Sequence, residues 1–350
     1  MSDGLGPRRG GAARALVRRA GIAALARGPL PALARRRAAR RGAAAVLCWH
    51  AIGPDGAGPE AWTVSRLGDL RAQFAELARR WQVVPLDEAL ALLDAPPRRR
   101  PGPPPRPLAA LTFDDGDASL HAFLPALLDD LGLCATIFVA TAQIETGRPF
   151  WFDRVMNALL APAPFTLDLR AQGLGLRRFD APPGAGRWPA ISALLEALKA
   201  LPPDRREEAA ASVVALAPPA PPGPRLGPMS LAQLRELAAH PRIAIGAHSH
   251  GHELMDRIAP EAARASIARS RALLAQWTGR APAHFAWPNG NWSDEVARIA
   301  AQEGFASAAA LGPAEGRFLL ERGARRHAYP RIAVGRYDSL DRFRLRLAGL

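Results

Sequence analysis

Leu108-Ala109-Ala110-Leu111-Thr112-Phe113 is an unbroken apolar run that stops abruptly at Asp114-Asp115-Gly116-Asp117. Six residues without alternation suit a strand buried on both faces, as strands of parallel sheets are. Such a strand has no use for acids in folding. Asp-Asp-Gly-Asp alone is an ordinary turn, so its meaning depends on what the other strands do.

Two further apolar runs end in the same way. Residues 43–49 lead into His50, and Ile243-Ala244-Ile245-Gly246-Ala247 leads into His248-Ser249-His250-Gly251-His252. Between these runs the period changes to that of a helix. Leu67, Leu70, Phe74, Leu77 and Trp81 recur at spacings of three and four, and helices are expected at 87–93, 121–131, 230–239 (opened by Ser230), 260–277 and 293–303. Weaker strand-like segments lie at 83–84, 135–140, 284–287 and 306–310. Strands alternating with helices predict an α/β fold with about six or seven parallel strands and helices outside, as an open sheet or an incomplete barrel. In either, the ends of the strands bring functional groups to one face.

The alternation lapses over 145–227, which reads as a long helical, proline-rich insertion: an aromatic segment (Phe150, Trp151, Phe152), a helix near 191–201, a charged helix over 204–216 and a proline run over 218–224. For Trp151 and Phe152, packing within the insertion outranks a sugar-stacking platform. The catalytic domain is expected to span 43–350. The formal net charge of +14 is concentrated ahead of it, since residues 1–42 hold eleven arginines against the single acid Asp3. This tail reads as disordered or, with Leu16, Val17, Ile22 and Leu25 among its arginines, as an amphipathic helix on an anionic membrane face. The near-balanced body offers no interleaving of basic and aromatic residues, so no specific nucleic-acid partner is expected. Neither a signal peptide nor a transmembrane run is legible, which makes a cytoplasmic location, with peripheral membrane contact as the variant, the expectation. The two cysteines, Cys48 and Cys134, sit in apolar runs and read as buried thiols.

The strand-end residues suit metal-assisted hydrolysis. Two histidines three residues apart can present two imidazoles to one ion, and a carboxylate completes a three-ligand set with a position open for water. A second carboxylate can then act as base toward that water. Adjacent acids share one site only at a turn out of the strand, which Gly116 permits.

Leu111-Thr112-Phe113-Asp114-Asp115-Gly116 resembles the first motif of the polysaccharide deacetylase family, and Gly246-Ala247-His248-Ser249-His250-Gly251-His252 resembles its second. Residues 46–50 are similar to the strand that opens such domains, and Phe285-Ala286-Trp287-Pro288-Asn289-Gly290 to a variant third motif. The resemblance covers about 43–310. It implies a distorted, incomplete (β/α) barrel of about seven parallel strands, with Asp114 as base, Asp115, His248 and His252 as ligands of a divalent metal, zinc by preference, and Ser249 steadying the loop. It further implies support or substrate contact from His50, Trp287, Pro288 and Asn289. The third motif lacks the arginine that orients the base, for which Arg331 is the candidate. The general acid has no clear motif; His327 is the first candidate, with His50 and His284 behind it.

The expected activity is removal of acetyl groups from N-acetylated sugars of a polysaccharide, oligosaccharide or lipid-linked glycan. Other metal-dependent amidases, O-acetyl esterases and a non-catalytic carbohydrate-binding protein on a degenerate fold are the alternatives.

Overall fold

The computed structural model describes residues 20–56, 58–94, 106–184, 186–312 and 318–350. The chain enters through a helix described from residue 20 to 27 (α1) and α2, Leu30–Arg41. The basic tail is therefore helical over 20–27 and 30–41, not disordered; Leu16 and Val17 lie outside the described residues. Pro31 and Ala38 are buried, and Arg41 pairs with Glu321, so α2 is docked on the domain.

Strand β1 (Ala44–Trp49) is buried at every residue. A small parallel pair, β2 (Ala51–Gly53) and β3 (Val64–Arg66), leads to helix α3 (Leu67–Arg80), strand β4 (Gln82–Val83) and helix α4 (Leu86–Leu90). Strand β5 (Leu108–Phe113), helix α5 (Ala118–Leu131) and strand β6 (Ala135–Val139) follow. The insertion comprises α6 (Thr141–Thr146), α7 (Trp151–Ala158), an antiparallel hairpin of β7 (Phe165–Leu169) and β8 (Gly175–Phe179), α8 (Trp188–Lys199) and α9 (Pro203–Leu216). Helix α10 (Leu231–Ala239), whose Ser230 and Gln233 form a capping box, returns the chain to the alternation of β9 (Ile243–Ala247), α11 (Pro260–Thr278), β10 (His284–Ala286), α12 (Asp294–Gln302) and β11 (Ser307–Ala309). Strand β12 (Ile332–Ala333) and helix α13 (Leu340–Arg346) complete it.

The main sheet runs β11-β10-β9-β6-β5-β1-β12, all parallel, and curls into an open half-barrel. β5 is shared by two neighbours besides β1: its first two residues pair with β4 and its last three with β6. The stretch ahead of β12 carries the chain between the two edges of the sheet. Ala308, Ala310 and Gly312 donate to the carbonyls of Arg326, Tyr329 and Arg331, and Ile332 then registers against Leu47 of β1.

Register positions the site. Trp49 lies opposite Phe113 and the Asp114 amide donates to the Trp49 carbonyl at 2.9 Å, so His50 and Asp114 emerge side by side. Val139 lies opposite Ala247, and His248 donates to its carbonyl at 2.9 Å. The principal core lies between these strands and the outer helices, built on residues such as Trp49, Phe74, Phe113, Ile267 and Phe285. The insertion buries its own cluster, including Val155, Leu167, Phe179, Leu194 and Val213. It is tied to the first motif by Gly227, whose amide donates to Asp117 Oδ2 at 2.9 Å.

Candidate active site

The first motif leaves its strand through two successive positive φ angles, 75° at Asp115 and 84° at Gly116. An aspartate in that region is strained, and the turn sends the adjacent carboxylates to different partners within one site. Asp114 faces Arg331, which donates from Nη1 to Oδ1 and from Nη2 to Oδ2, both at 2.7 Å. The guanidinium is itself fixed, through Nε to the Ala310 carbonyl at 3.0 Å and Nη1 to Thr112 Oγ1 at 3.2 Å. Burial pushes the Asp114 carboxyl up, but the charges of Arg331 and His248 outweigh it and hold Asp114 below the usual carboxylate range.

Asp115 turns instead to the second motif. Its Oδ1 lies 3.5 Å from His248 Nε2 and 3.3 Å from His252 Nε2, is buried, and has no hydrogen-bond partner. His248 Nδ1 donates to the Ala286 carbonyl at 2.8 Å, which leaves Nε2 with a lone pair directed at the cluster. The loop is held by Ser249, whose hydroxyl accepts from the His252 amide and donates to Glu253, both at 2.9 Å. Glu253 also accepts from Ser266 Oγ at 2.8 Å and the Gly251 amide at 3.2 Å. Ser249 and His252 both have positive φ. The three ligand atoms of Asp115, His248 and His252 lie within 4.8 Å of one another. Burial raises the Asp115 carboxyl, yet the two imidazoles beside it leave it well below its ordinary value.

Cys48, His50 and Asp114 form a second close group, with different chemistry. Burial pushes the Cys48 thiol well up, and both Asp114 oxygens are engaged by Arg331, so this group is a poor ligand set.

The structure brings some expected residues together and separates others. His50 is buried, packs edge-on to Trp62 with ring centroids 5.1 Å apart, and lines a cleft with Asp115, Gly116, Phe150 and Asp153. Its Nδ1 has no hydrogen-bond partner, and burial lowers its pKa. His327, the first candidate acid, is not in this cleft, because its Nε2 donates to the Phe305 carbonyl at 2.9 Å, ahead of β11. His284 is likewise turned away at the start of β10, between Ser307 and Asp87. Trp287 is buried, donating from Nε1 to the His327 carbonyl at 3.0 Å, and Pro288 is buried beside it. Both build the third-motif loop without lining the cleft. Asn289, at φ 56°, accepts from Lys199 of α8 at 3.1 Å and so links that loop to the insertion.

Sequence reasoning missed the insertion's contribution. The Phe150 and Phe152 rings pack edge-on to His252 at 4.9 and 5.4 Å, and Trp151 with Phe152 lines a groove of about 720 Å³ beside His252. Both also pack on the insertion's own cluster, so the expected packing role and a groove-lining role coexist. Asp153 of α7 is a buried acid in the cleft. Burial, with Asp115 and Asp117 nearby, pushes its carboxyl well above the ordinary range. Phe150, Trp151 and Phe152 were the only signal for this wall; nothing in the local sequence marks Asp153 or Glu253.

A parallel α/β half-barrel with two acids and a His-x-x-x-His pair at the carboxyl ends of its strands defines a hydrolase site. The sequence model of the polysaccharide deacetylase family matches residues 210–308, a stretch that contains the second motif. Among solved structures, the Streptococcus pyogenes deacetylase PplD in complex with acetate is 13% identical with a TM-score of 0.54, over 87% of this chain and 98% of that one. The de-N-acetylase from Aggregatibacter actinomycetemcomitans is 14% identical, with a TM-score of 0.54 over 87% and 99% of the two chains. IcaB from Ammonifex degensii is 17% identical, with a TM-score of 0.53 over 87% and 97%. At these identities the likeness establishes the fold. No curated protein sequence matches the chain. Residues 210–308 carry the polysaccharide deacetylase match, and together with the fold this indicates a hydrolase of the deacetylase class.

Proposed function

We propose that the protein removes acetyl groups from N-acetylated sugars within a glycan, using a zinc ion held by Asp115, His248 and His252, with Asp114 as base and His50 as acid. The observation that carries this reading is the buried, unpartnered Asp115 Oδ1 between two imidazole Nε2 atoms. Three donors of this type, with His248 fixed through its other nitrogen, fit a divalent ion with an open coordination position. When bound, the ion polarises the acetamide carbonyl and makes the attacking water more acidic.

Asp114 is suited to receive that water's proton. Its Oδ2 lies 3.9 Å from His248 Nε2, which puts the carboxylate at the border of the ligand cluster, and Arg331 keeps it ionised and fixes its plane. His50, with an unpartnered Nδ1 in the same cleft, is our choice for the group that protonates the departing nitrogen, in its imidazolium form, which the nearby Asp114 and Asp115 carboxylates favour against burial. Arg331, bonded to both oxygens of Asp114, is our candidate for the arginine absent from the third motif and supports a catalytic over a degenerate site. The groove beside His252, with aromatic faces at Trp151 and Phe152, supports a substrate of more than one sugar ring.

The test is acetate release by zinc-loaded and chelator-treated protein from N-acetylglucosamine oligomers, O-acetylated sugars and small acetamides. Chelator-sensitive release from the oligomers is expected. Release only from the small acetamides would overturn the glycan assignment, and release only from O-acetylated sugars would make the protein an esterase.

A further inference from the structure

The two entry helices carry a surface that the proposed chemistry does not use. Leu25, Leu30 and Leu33 are 50, 40 and 55% exposed and fall within nine residues of one another, three of the eight exposed large hydrophobic residues among those described. Around them α2 contains five arginines and no acid. Pro31 and Ala38 face the domain, whereas Leu30, Leu33, Arg36, Arg37 and Arg40 are exposed. Arg36, Arg37 and Arg40 make no ion pair among the described residues, unlike Arg27 and Arg41, which pair with Asp341 and Glu321. Arg27, at the end of α1, reaches Asp341 in the first turn of α13, so the tip of the helix pair is also tied to the domain.

We propose that the free face of α1 and α2 docks the protein on an anionic lipid surface, with Leu25, Leu30 and Leu33 entering the headgroup boundary and Arg36, Arg37 and Arg40 against lipid phosphates. Charge complementarity selects this occupant. A second copy related by a two-fold axis would set arginine clusters against each other, and a nucleic-acid backbone would leave the leucines without a role. A lipid interface takes both residue types on one helix face. Among the described residues no helix is long and apolar enough to cross a membrane, so attachment here is to the surface only. Residues 1–19 add five arginines and one acid to the same end of the chain.

The test is flotation of the full chain with vesicles of phosphatidylcholine alone and of phosphatidylcholine mixed with phosphatidylglycerol. Wild type is compared with Leu30→Ser/Leu33→Ser and with Arg36→Gln/Arg37→Gln/Arg40→Gln, thermal unfolding serving as the check on folding. All three proteins keep residues 1–19, so only the face differs. The wild type is expected to float with the anionic vesicles and to be released by salt. At about fivefold per arginine the triple variant should lose roughly 100-fold in partition coefficient, and the leucine pair on the order of tenfold. Absence of flotation, or flotation equal in all three, would overturn the proposal, the latter assigning binding to another part of the chain. So would a concentration-dependent dimer dispersed by the leucine changes, or DNA binding lost only in the arginine variant. None of these outcomes bears on the deacetylase reading, because flotation requires no turnover.

Discussion

Removing the guanidinium of Arg331 gives the sharpest test of how the site is held. Arg331 and Asp114 are 0 and 4% exposed and joined by two hydrogen bonds of 2.7 Å. Losing one partner of such a pair strands a buried charge and costs about 3–5 kcal/mol. With an unfolding entropy of about 2.1 cal/mol/K per residue, a chain of this length loses about 5 °C of melting temperature for ~4 kcal/mol. Arg331→Met and Asp114→Leu should each show a fall of that size, measured by circular dichroism with chelator present. The double variant strands neither charge and should melt above both, giving a coupling at least as large as one single loss, about 4 kcal/mol. A pH arm checks the cause. In the wild type the Asp114 carboxyl is held below its ordinary value, so its contribution is present above about pH 4 and is lost as pH falls through the folded value. In Arg331→Met burial acts with less opposition and raises that carboxyl, so the variant's deficit should shrink as pH falls from about 7 to about 4. Strictly additive losses, or a deficit independent of pH, would refute the view that Arg331 acts by compensating Asp114.

Metal content after dialysis against dilute zinc should be about one ion per chain in the wild type and near zero in His248→Ala; a folded wild type without zinc would sink the ligand assignment. His50→Ala should lower turnover by about 10²–10³ while retaining the metal, whereas His327→Ala should leave turnover within about twofold; the opposite ranking in acetate-release rates would reinstate His327. Asp153, raised well above its ordinary value, favours folding while protonated in the native state, an advantage lost as pH rises above about 4 and through the folded value. In metal-free protein Asp153→Asn should therefore raise the melting temperature near pH 8 and lose that gain toward about pH 4; a gain that grew on acidification would contradict the assignment.

The parts of the fold legible in the sequence were those whose burial is continuous or whose period is long. β1 and β5 read as apolar runs because both of their faces are covered, β9 does so although Ala244 is exposed, and α3 announced itself through Leu70, Phe74 and Leu77, all buried in the core. The hairpin of β7 and β8 was overlooked although Leu167 and Leu169 alternate with exposed Thr166 and Asp168. Five residues of period two inside a segment rich in proline and helix formers is a weak signal against such surroundings. Composition alone does not choose between disorder and helix over 20–41, because the contacts that hold α2, buried Pro31 and Ala38 and the Arg41–Glu321 pair, are tertiary.

The site divides along the same line. Asp114, Asp115, His248 and His252 stand out because polar residues interrupt buried strands at positions that the register brings to one rim. The residues that hold them do not stand out. Arg331 is one arginine among many, 217 positions from Asp114, and becomes significant only because the stretch ahead of β12 runs between β11 and β1 and delivers it beneath the first motif. Choosing an acid by type and remoteness favoured His327, whereas the register of β1 against β5 fixes His50 beside Asp114 whatever the rest of the chain does. A candidate proton donor in a fold of this kind is therefore better sought one residue beyond a buried strand adjacent to the base than among unassigned histidines downstream. The His50 and His327 variants above test that argument as much as the assignment itself.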